Sequence, residues 1–190
     1  MTRRAELEEQ TRLRITESAV ALHAEVGPAQ TSISAIAERA GVRRSTVYRH
    51  FPDEEALFAA CSAHWRAANP VPDPSTWSSI RDHDARTRTA LGELYAFYDR
   101  TQAMYVSLLR DEPLVPAVER RLRDFHGFLA VVQDGLAAGR GLRGRRAQLV
   151  RAAIGHALAF PTWHSLAQEQ GLSNGEAVEL MSRLIRRATD

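Results

Sequence analysis

The residues whose types and spacing could do chemistry lie in the stretch 31–51, TSISAIAERAGVRRSTVYRHF. When Val47 and Phe51 turn inward, Arg44, Ser45, Tyr48 and Arg49 fall on the outward side of one short helix. Guanidiniums pair bidentately with guanine edges in a major groove, and Ser or Tyr hydroxyls hold phosphates. This is the chemistry of recognition, not of bond making. The plainer reading is a solvated arginine face, which many pairs of short amphipathic helices carry.

The elements that must position this face are two short helices, expected at 33–40 and 44–50 and joined by Gly41, Val42 and Arg43. Short helices across a tight glycine turn describe a helix-turn-helix. Ala37 offers a small contact where the second helix crosses, and Gly41 suits a positive φ that costs other residues more. Ile36, Val42, Val47 and Phe51 can seal the crossing from inside. A helix over 4–25 precedes the pair, with Ile15, Ala19 and Leu22 on one face, and ends at Gly27 and Pro28. A fourth helix starts near Asp53, whose carboxylate can cap it while Glu54 and Glu55 favour its positive end.

The segment 15–57 resembles the N-terminal domain of the TetR family of transcriptional regulators. The resemblance is carried by Ile15, Ala19, Leu22, Gly27, Thr31, Ile36-Ala37, Ala40-Gly41-Val42, Thr46-Val47-Tyr48, Phe51 and Leu57. It implies that Thr31 contacts a phosphate, that Tyr48 holds another, and that Arg44, Ser45, Thr46, Arg49 and His50 reach bases or backbone. With Arg43 in the turn, the expected DNA-contacting set is Thr31, Arg43, Arg44, Ser45, Thr46, Tyr48, Arg49 and His50. It further implies a repressor released from a palindromic double-stranded operator by a small-molecule effector. Arg3 and Arg4 are expected as a flexible arm able to enter the minor groove.

Two positions depart from the family pattern. Glu54 stands where relatives carry a Lys that touches the DNA backbone. Residues 1–52 hold eight Arg against six Glu, and Asp53, Glu54 and Glu55 reverse that balance. His23 stands where relatives pack an aromatic, and a partly buried, hydrogen-bonded histidine is expected there.

Beyond the head, Pro70, Pro72 and Pro74 make 69–79 a linker. The expected domains are therefore 8–68, a helix-turn-helix DNA-binding domain, and 69–190, a helical ligand-binding and dimerisation domain. Period-2 runs of β-branched residues are missing, so the fold class is all-α. Helices are expected over 84–109 (with a break near Thr101), 116–138, 145–170 with a kink at Pro161, and 174–188. Their stripes are Leu91, Tyr95, Tyr98, Gln102 and Tyr105; then Val118, Leu122, Phe125, Leu129, Val132 and Leu136; then Leu149, Ala153, His156, Phe160, Trp163 and Ala167.

The last two helices, the second with Val178, Leu180, Met181, Leu184 and Ile185, are apolar around too much of their girth for a core alone. They are expected to pair with their symmetry mates in a homodimer, matching a palindromic operator. The candidate effector-pocket residues are Tyr95, Tyr98, Tyr105, His126, His156, Phe160, Trp163 and His164, a mostly apolar set with a few polar groups.

Composition narrows the alternatives. The 190 residues are 44% hydrophobic and 25% charged, with a formal charge of +2 carried by 25 basic residues that are all Arg. That is an ordinary globular composition, permitting nucleic acid as partner without demanding it. The lone Cys61 cannot close an internal disulfide, which fits a reducing, cytoplasmic setting. The first nine residues are polar, unlike a signal peptide, and no run reaches the roughly 18 apolar residues of a membrane span. Histidines and cysteine show no metal spacing, the glycines of 135–144 surround arginines in a helix connection, and no nucleophile has a paired base. The chain is therefore expected to be no enzyme and to need no cofactor. The rival reading is a helical ligand-binding or interaction protein whose DNA grip Glu54 has weakened.

Overall fold

The computed structural model describes residues 3–188, which are helical throughout, with turns between and no strand among them. The order is α1 (Arg3–Glu25), a 3-10 turn (Pro28–Gln30), α2 (Ile33–Arg39), α3 (Arg44–His50) and α4 (Glu54–Ala68). There follow α5 (Ser75–Ser78), α6 (His83–Asp111), α7 (Pro116–Ala137), α8 (Gly144–Leu158), α9 (Phe160–His164), a π-helical turn (Ser165–Glu169) and α10 (Asn174–Arg187). The ends of the expected C-terminal domain at Thr189 and Asp190, like Met1 and Thr2, lie outside the described residues. No described helix is long and apolar enough to cross a membrane.

The all-α expectation holds. The described residues divide into two compact units, one within Met1–Pro70 and Ala103–Leu122, the other within Val71–Gln102 and Arg123–Asp190. The first unit therefore takes in the C-terminal part of α6 and the start of α7, residues read from the sequence as part of the C-terminal domain.

In the first unit, Ile15 and Ala19 of α1 meet Ile36, Ala37, Val47, Phe51, Leu57 and Cys61 in one buried cluster. Burial of such side chains stabilises by roughly 1.5–3 kcal/mol for each large one. Burial also pushes the Cys61 thiol up to about 12, so it stays protonated and unreactive. The fourth helix is capped as its sequence suggests, the Asp53 carboxylate accepting from the Ala56 amide at 2.7 Å.

The second unit is built on the Tyr95 and Tyr98 face of α6, with α8, α9 and α10. Pro161 does more than kink the helix: Ala159 is extended, with φ −71° and ψ 134°, and α8 stops there. A proline lacks the amide that would satisfy the carbonyl four residues back, here Ala157. The Tyr95 hydroxyl donates to that carbonyl at 2.9 Å, and the Tyr98 hydroxyl donates to the Leu158 carbonyl at 2.6 Å. The last helix opens with a capping box formed by Ser173 and Glu176.

Three expectations need correction. The expected break near Thr101 is absent: α6 runs unbroken, and the Thr101 hydroxyl donates to the Phe97 carbonyl at 2.5 Å. Arg3 and Arg4 are helical, not a loose arm, and Arg4 pairs with Glu8 one turn on at 3.2 Å. The stripe of Leu149 and His156 faces out, while Val150, Ile154, Ala157 and Leu158 are buried. The error came from carrying one helical period through Pro161. Phe160 and Trp163 belong to a new helix with its own phase.

Candidate nucleic-acid interface

The helix-turn-helix forms at the expected residues. Its first helix is capped by the Ser32 hydroxyl, which accepts from the Ala35 amide at 3.1 Å. The Val42 amide donates to the Ala37 carbonyl at 2.9 Å, and Gly41 turns the chain at φ +65°. A side-chain-bearing residue would strain that left-handed position. Ala37 and Val47 are both buried at the crossing, which turns the rest of α3 outward.

On that outward side Arg43, Arg44, Ser45, Tyr48 and Arg49 are exposed, with Thr46 and His50 half-buried beside them. Arg43, Arg44 and Arg49 meet no carboxylate among the described residues, in contrast to Arg39, which forms a two-pronged pair with Glu25 at 2.6 and 2.7 Å. The face thus presents three open guanidiniums and a phenol within seven residues. Tyr48 is 44% exposed although its ring is large and apolar, as suits an aromatic that awaits a surface.

Two of the expected contacts do not present free donors outward. The Thr31 hydroxyl donates to the Gly27 carbonyl at 2.8 Å and the Thr31 amide to the Pro28 carbonyl at 3.2 Å, so both its donors close the turn. Nε2 of His50 is buried without a partner, and burial, with Arg49 and Arg12 nearby, holds the imidazole below its ordinary pKa. Glu54 is exposed in the first turn of α4, and its neighbour Glu55 pairs with Arg120 at 3.0 Å.

Sequence reasoning missed Arg12. Its guanidinium donates to the His50 carbonyl at 3.1 Å, at the negative end of α3, and lies 4.5 Å above the Phe51 ring. A cation there compensates the last carbonyls of the helix and gains from the aromatic face. The contact joins residues 38 apart in sequence, and no local pattern announces it. It fixes where α3 ends against α1.

Sequence reasoning also missed Ser107, Arg110 and Asp111. At the end of α1 the Ser107 hydroxyl donates to the Ala24 carbonyl at 3.2 Å, and Arg110 donates to the Val26 carbonyl at 2.6 Å. Asp111, 1% exposed, accepts from the Ala29 amide at 2.9 Å and pairs with Arg110 at 2.7 Å. The Arg110 bond and the Ala29 amide hold the Asp111 carboxyl below its usual range. His23 is buried beside Phe58, ring centroids 5.5 Å apart, and desolvation lowers its pKa to about 4 despite the pull of Asp111.

The candidate effector residues separate. Tyr98, Phe160 and Trp163 gather with ring centroids 5.2 to 5.8 Å apart, and Tyr95 and His164 lie at their margin. Trp163 donates its indole N–H to Asn174 Oδ1 at 2.8 Å. His126 and His156 are exposed, and Tyr105 belongs to the first unit, its ring 6.0 Å from Trp65.

The family model described as bacterial regulatory proteins, tetR family, matches residues 15–61. The chain is similar in structure to a protein from Mesorhizobium loti described as a TetR-family transcriptional regulator, at 20% identity and a TM-score of 0.64 over 99% of this chain and 97% of that one. It is also similar to a TetR-like transcriptional regulator from Rhodococcus sp. RHA1, at 19% identity and TM-score 0.63 over 95% and 94% of the two chains. A tetR-family regulator from Streptomyces coelicolor matches at 20% identity and TM-score 0.59, over 95% of this chain and 79% of that one. No curated protein sequence matches the chain. The family match covers the head, and the solved structures share the fold of the whole chain.

Proposed function

From a TetR-type head on a TetR-regulator fold, we infer that the chain is a sequence-specific DNA-binding transcriptional regulator, a homodimeric repressor released from a palindromic operator by a small-molecule effector. The observation that carries this reading is the outward face of α3, where Arg44, Tyr48 and Arg49 are exposed and both arginines lack a carboxylate partner among the described residues. Un-neutralised guanidiniums on a helix narrow enough for a major groove supply base pairing and counterion release together. Arg43 and Ser45 would hold the flanking backbone. Thr31 would reach a phosphate only by giving up its bond to Gly27.

The dimer reading rests on unit-two leucines left in the open. Leu149 on α8 and Leu180 and Leu184 on α10 are 43%, 39% and 51% exposed. Four residues apart, the latter two share one side of α10, and self-complementary burial of such a patch is the usual two-fold solution. The effector site is proposed around the Tyr98, Phe160 and Trp163 cluster. A protein of this kind works in the cytoplasm, where its operator is.

The test is a fluorescence-anisotropy titration of labelled duplex from upstream of the protein's own gene, with random duplex as competitor. Saturable binding that survives excess competitor is expected. Equal competition by any duplex would leave the rival reading, a helical interaction protein, in its place.

A further inference from the structure

The C-terminal turn of α1 is held by side chains that lie more than eighty residues away in sequence. A helix end leaves carbonyls without intrahelical partners, and something must satisfy them when they are covered. Here Ser107 and Arg110 of α6 donate to the carbonyls of Ala24 and Val26, and Asp111 accepts from the amide of Ala29. Three backbone groups of one six-residue turn are thus met by three side chains of one helix, all within the first unit.

The fit is close. A Cβ placed on Gly27, itself at φ +89°, would lie 2.0 Å from Arg110 Nη2 and 2.3 Å from Asp111 Oδ2. Only a glycine lets the backbone lie flat against the ion pair. The turn so held runs directly into Thr31 and the Ser32 cap of α2, and α2 crosses α3 at Ala37 and Gly41. Any displacement of the turn therefore moves the helix against which the exposed face of α3 is set.

We propose that Asp111, with Arg110 and Ser107, is a positioning cluster for DNA recognition: it staples the 24–29 turn to α6 and so fixes the angle at which α3 presents Arg44, Tyr48 and Arg49. The inference rests on the DNA-binding reading above and adds to it residues that would touch no DNA. Asp111 acts through backbone, as a buried charged acceptor whose second oxygen and cation partner keep it in place.

The experiment uses the full chain with Asp111→Asn, which keeps the shape and one acceptor oxygen but loses the charge that holds Arg110. Three quantities are read well below the melting temperature: affinity for the operator duplex, affinity for random duplex, and amide hydrogen exchange at Ala29. The staple predicts roughly a tenfold loss of operator affinity, little change on random duplex, and faster exchange at Ala29. A merely destabilised protein would not lower the ratio of specific to random affinity while it remains folded. Unchanged operator affinity with Ala29 still protected would overturn the proposal. If wild-type protein binds no duplex, the DNA-binding reading fails instead, and exchange at Ala29 in the variant still decides whether the staple holds the turn. Should Asp111→Asn not accumulate as folded protein, Ser107→Ala removes a single carbonyl partner and is expected to shift the same three readouts in the same direction, by about threefold in affinity.

Discussion

The two units of the molecule place their polar groups in opposite ways. In the first unit the interior holds Asp111 and its distant backbone partners, and the surface of α3 leaves Arg43, Arg44 and Arg49 open. In the second, Tyr95 and Tyr98 turn their hydroxyls inward onto the Ala157 and Leu158 carbonyls where α8 stops. Several of its arginines are paired: Arg140 with Asp84, Arg151 with Asp134, Arg183 with Glu179. Arg143, the N-cap of α8, and Arg145 and Arg146 in its first turn also meet no carboxylate among the described residues, on a helix start flanked by Gly141 and Gly144 at positive φ. The lesson concerns where charge is left unpaired. A guanidinium without a carboxylate on a rigid, closely packed helix is prepared for an outside partner, whereas one drawn into its own network serves the fold.

Four perturbations break or sharpen this contrast, and the largest effect belongs to the open arginines. Replacing Arg44 and Arg49 together by Ala is expected to cost about 1–3 kcal/mol for each lost base contact, thus at least about thirtyfold in operator affinity. Anisotropy would read this loss, while urea melts should show little change because both side chains are exposed. A double variant that binds as wild type would erase the distinction between the units.

Next comes the buried imidazole of the first unit. The His23 pKa falls from 6.5 to about 4 on folding, so the unfolded chain binds more protons between those values. Stability is therefore full above about pH 6.5 and is lost as the pH falls toward 4, by on the order of 3 kcal/mol from this group. His23→Phe, which removes the titrating group and keeps a ring against Phe58, should flatten that part of the pH dependence in urea melts. A wild-type profile flat between pH 6.5 and 4.5 would contradict the burial of a neutral imidazole.

The second unit is probed by Tyr98→Phe. Removing the hydroxyl leaves the Leu158 carbonyl buried and unmet, at roughly 1–3 kcal/mol. Thermal unfolding should move accordingly, with operator affinity little changed at low temperature. An unchanged melting temperature would mean that the α8–α9 break is held by something other than its tyrosine partners.

The smallest effect is on the acidic start of α4. Glu54→Lys places a cation near the DNA backbone where Glu54 is exposed, and should tighten operator binding by up to about tenfold at low salt while steepening the salt dependence by about one phosphate contact. Titrations at several salt concentrations with no gain would show that Glu54 serves only its helix end.

What was legible in the sequence follows the range of the interactions concerned. The head was legible because its signals are local. Gly27 and Pro28 end α1, Asp53 caps α4, and Gly41 marks the left-handed turn, each within a few residues of the element it shapes. The α3 face was legible because Val47 and Phe51 set its phase. Long-range polar contacts were not: nothing near Asp111 names Ala29 as its partner, and nothing near Arg12 names the His50 carbonyl. In the second unit the apolar pattern gave the helices but lost their phase at Pro161, where the chain restarts at Phe160, and so put exposed Leu149 on one stripe with buried Phe160 and Trp163. Threonine at 101 suggested a break in α6, yet its hydroxyl bonds the preceding turn and the helix continues.

The most direct measurement of the central claim is NMR of the full chain with labelled arginine and tyrosine side chains, titrated with an operator duplex. Shifts and slowed solvent exchange should concentrate at Arg43, Arg44, Tyr48 and Arg49, with Arg39 and Arg140, held by their own carboxylates, unmoved. If the paired arginines respond as strongly as those of α3, or α3 does not respond at all, its exposed face is ordinary solvated surface.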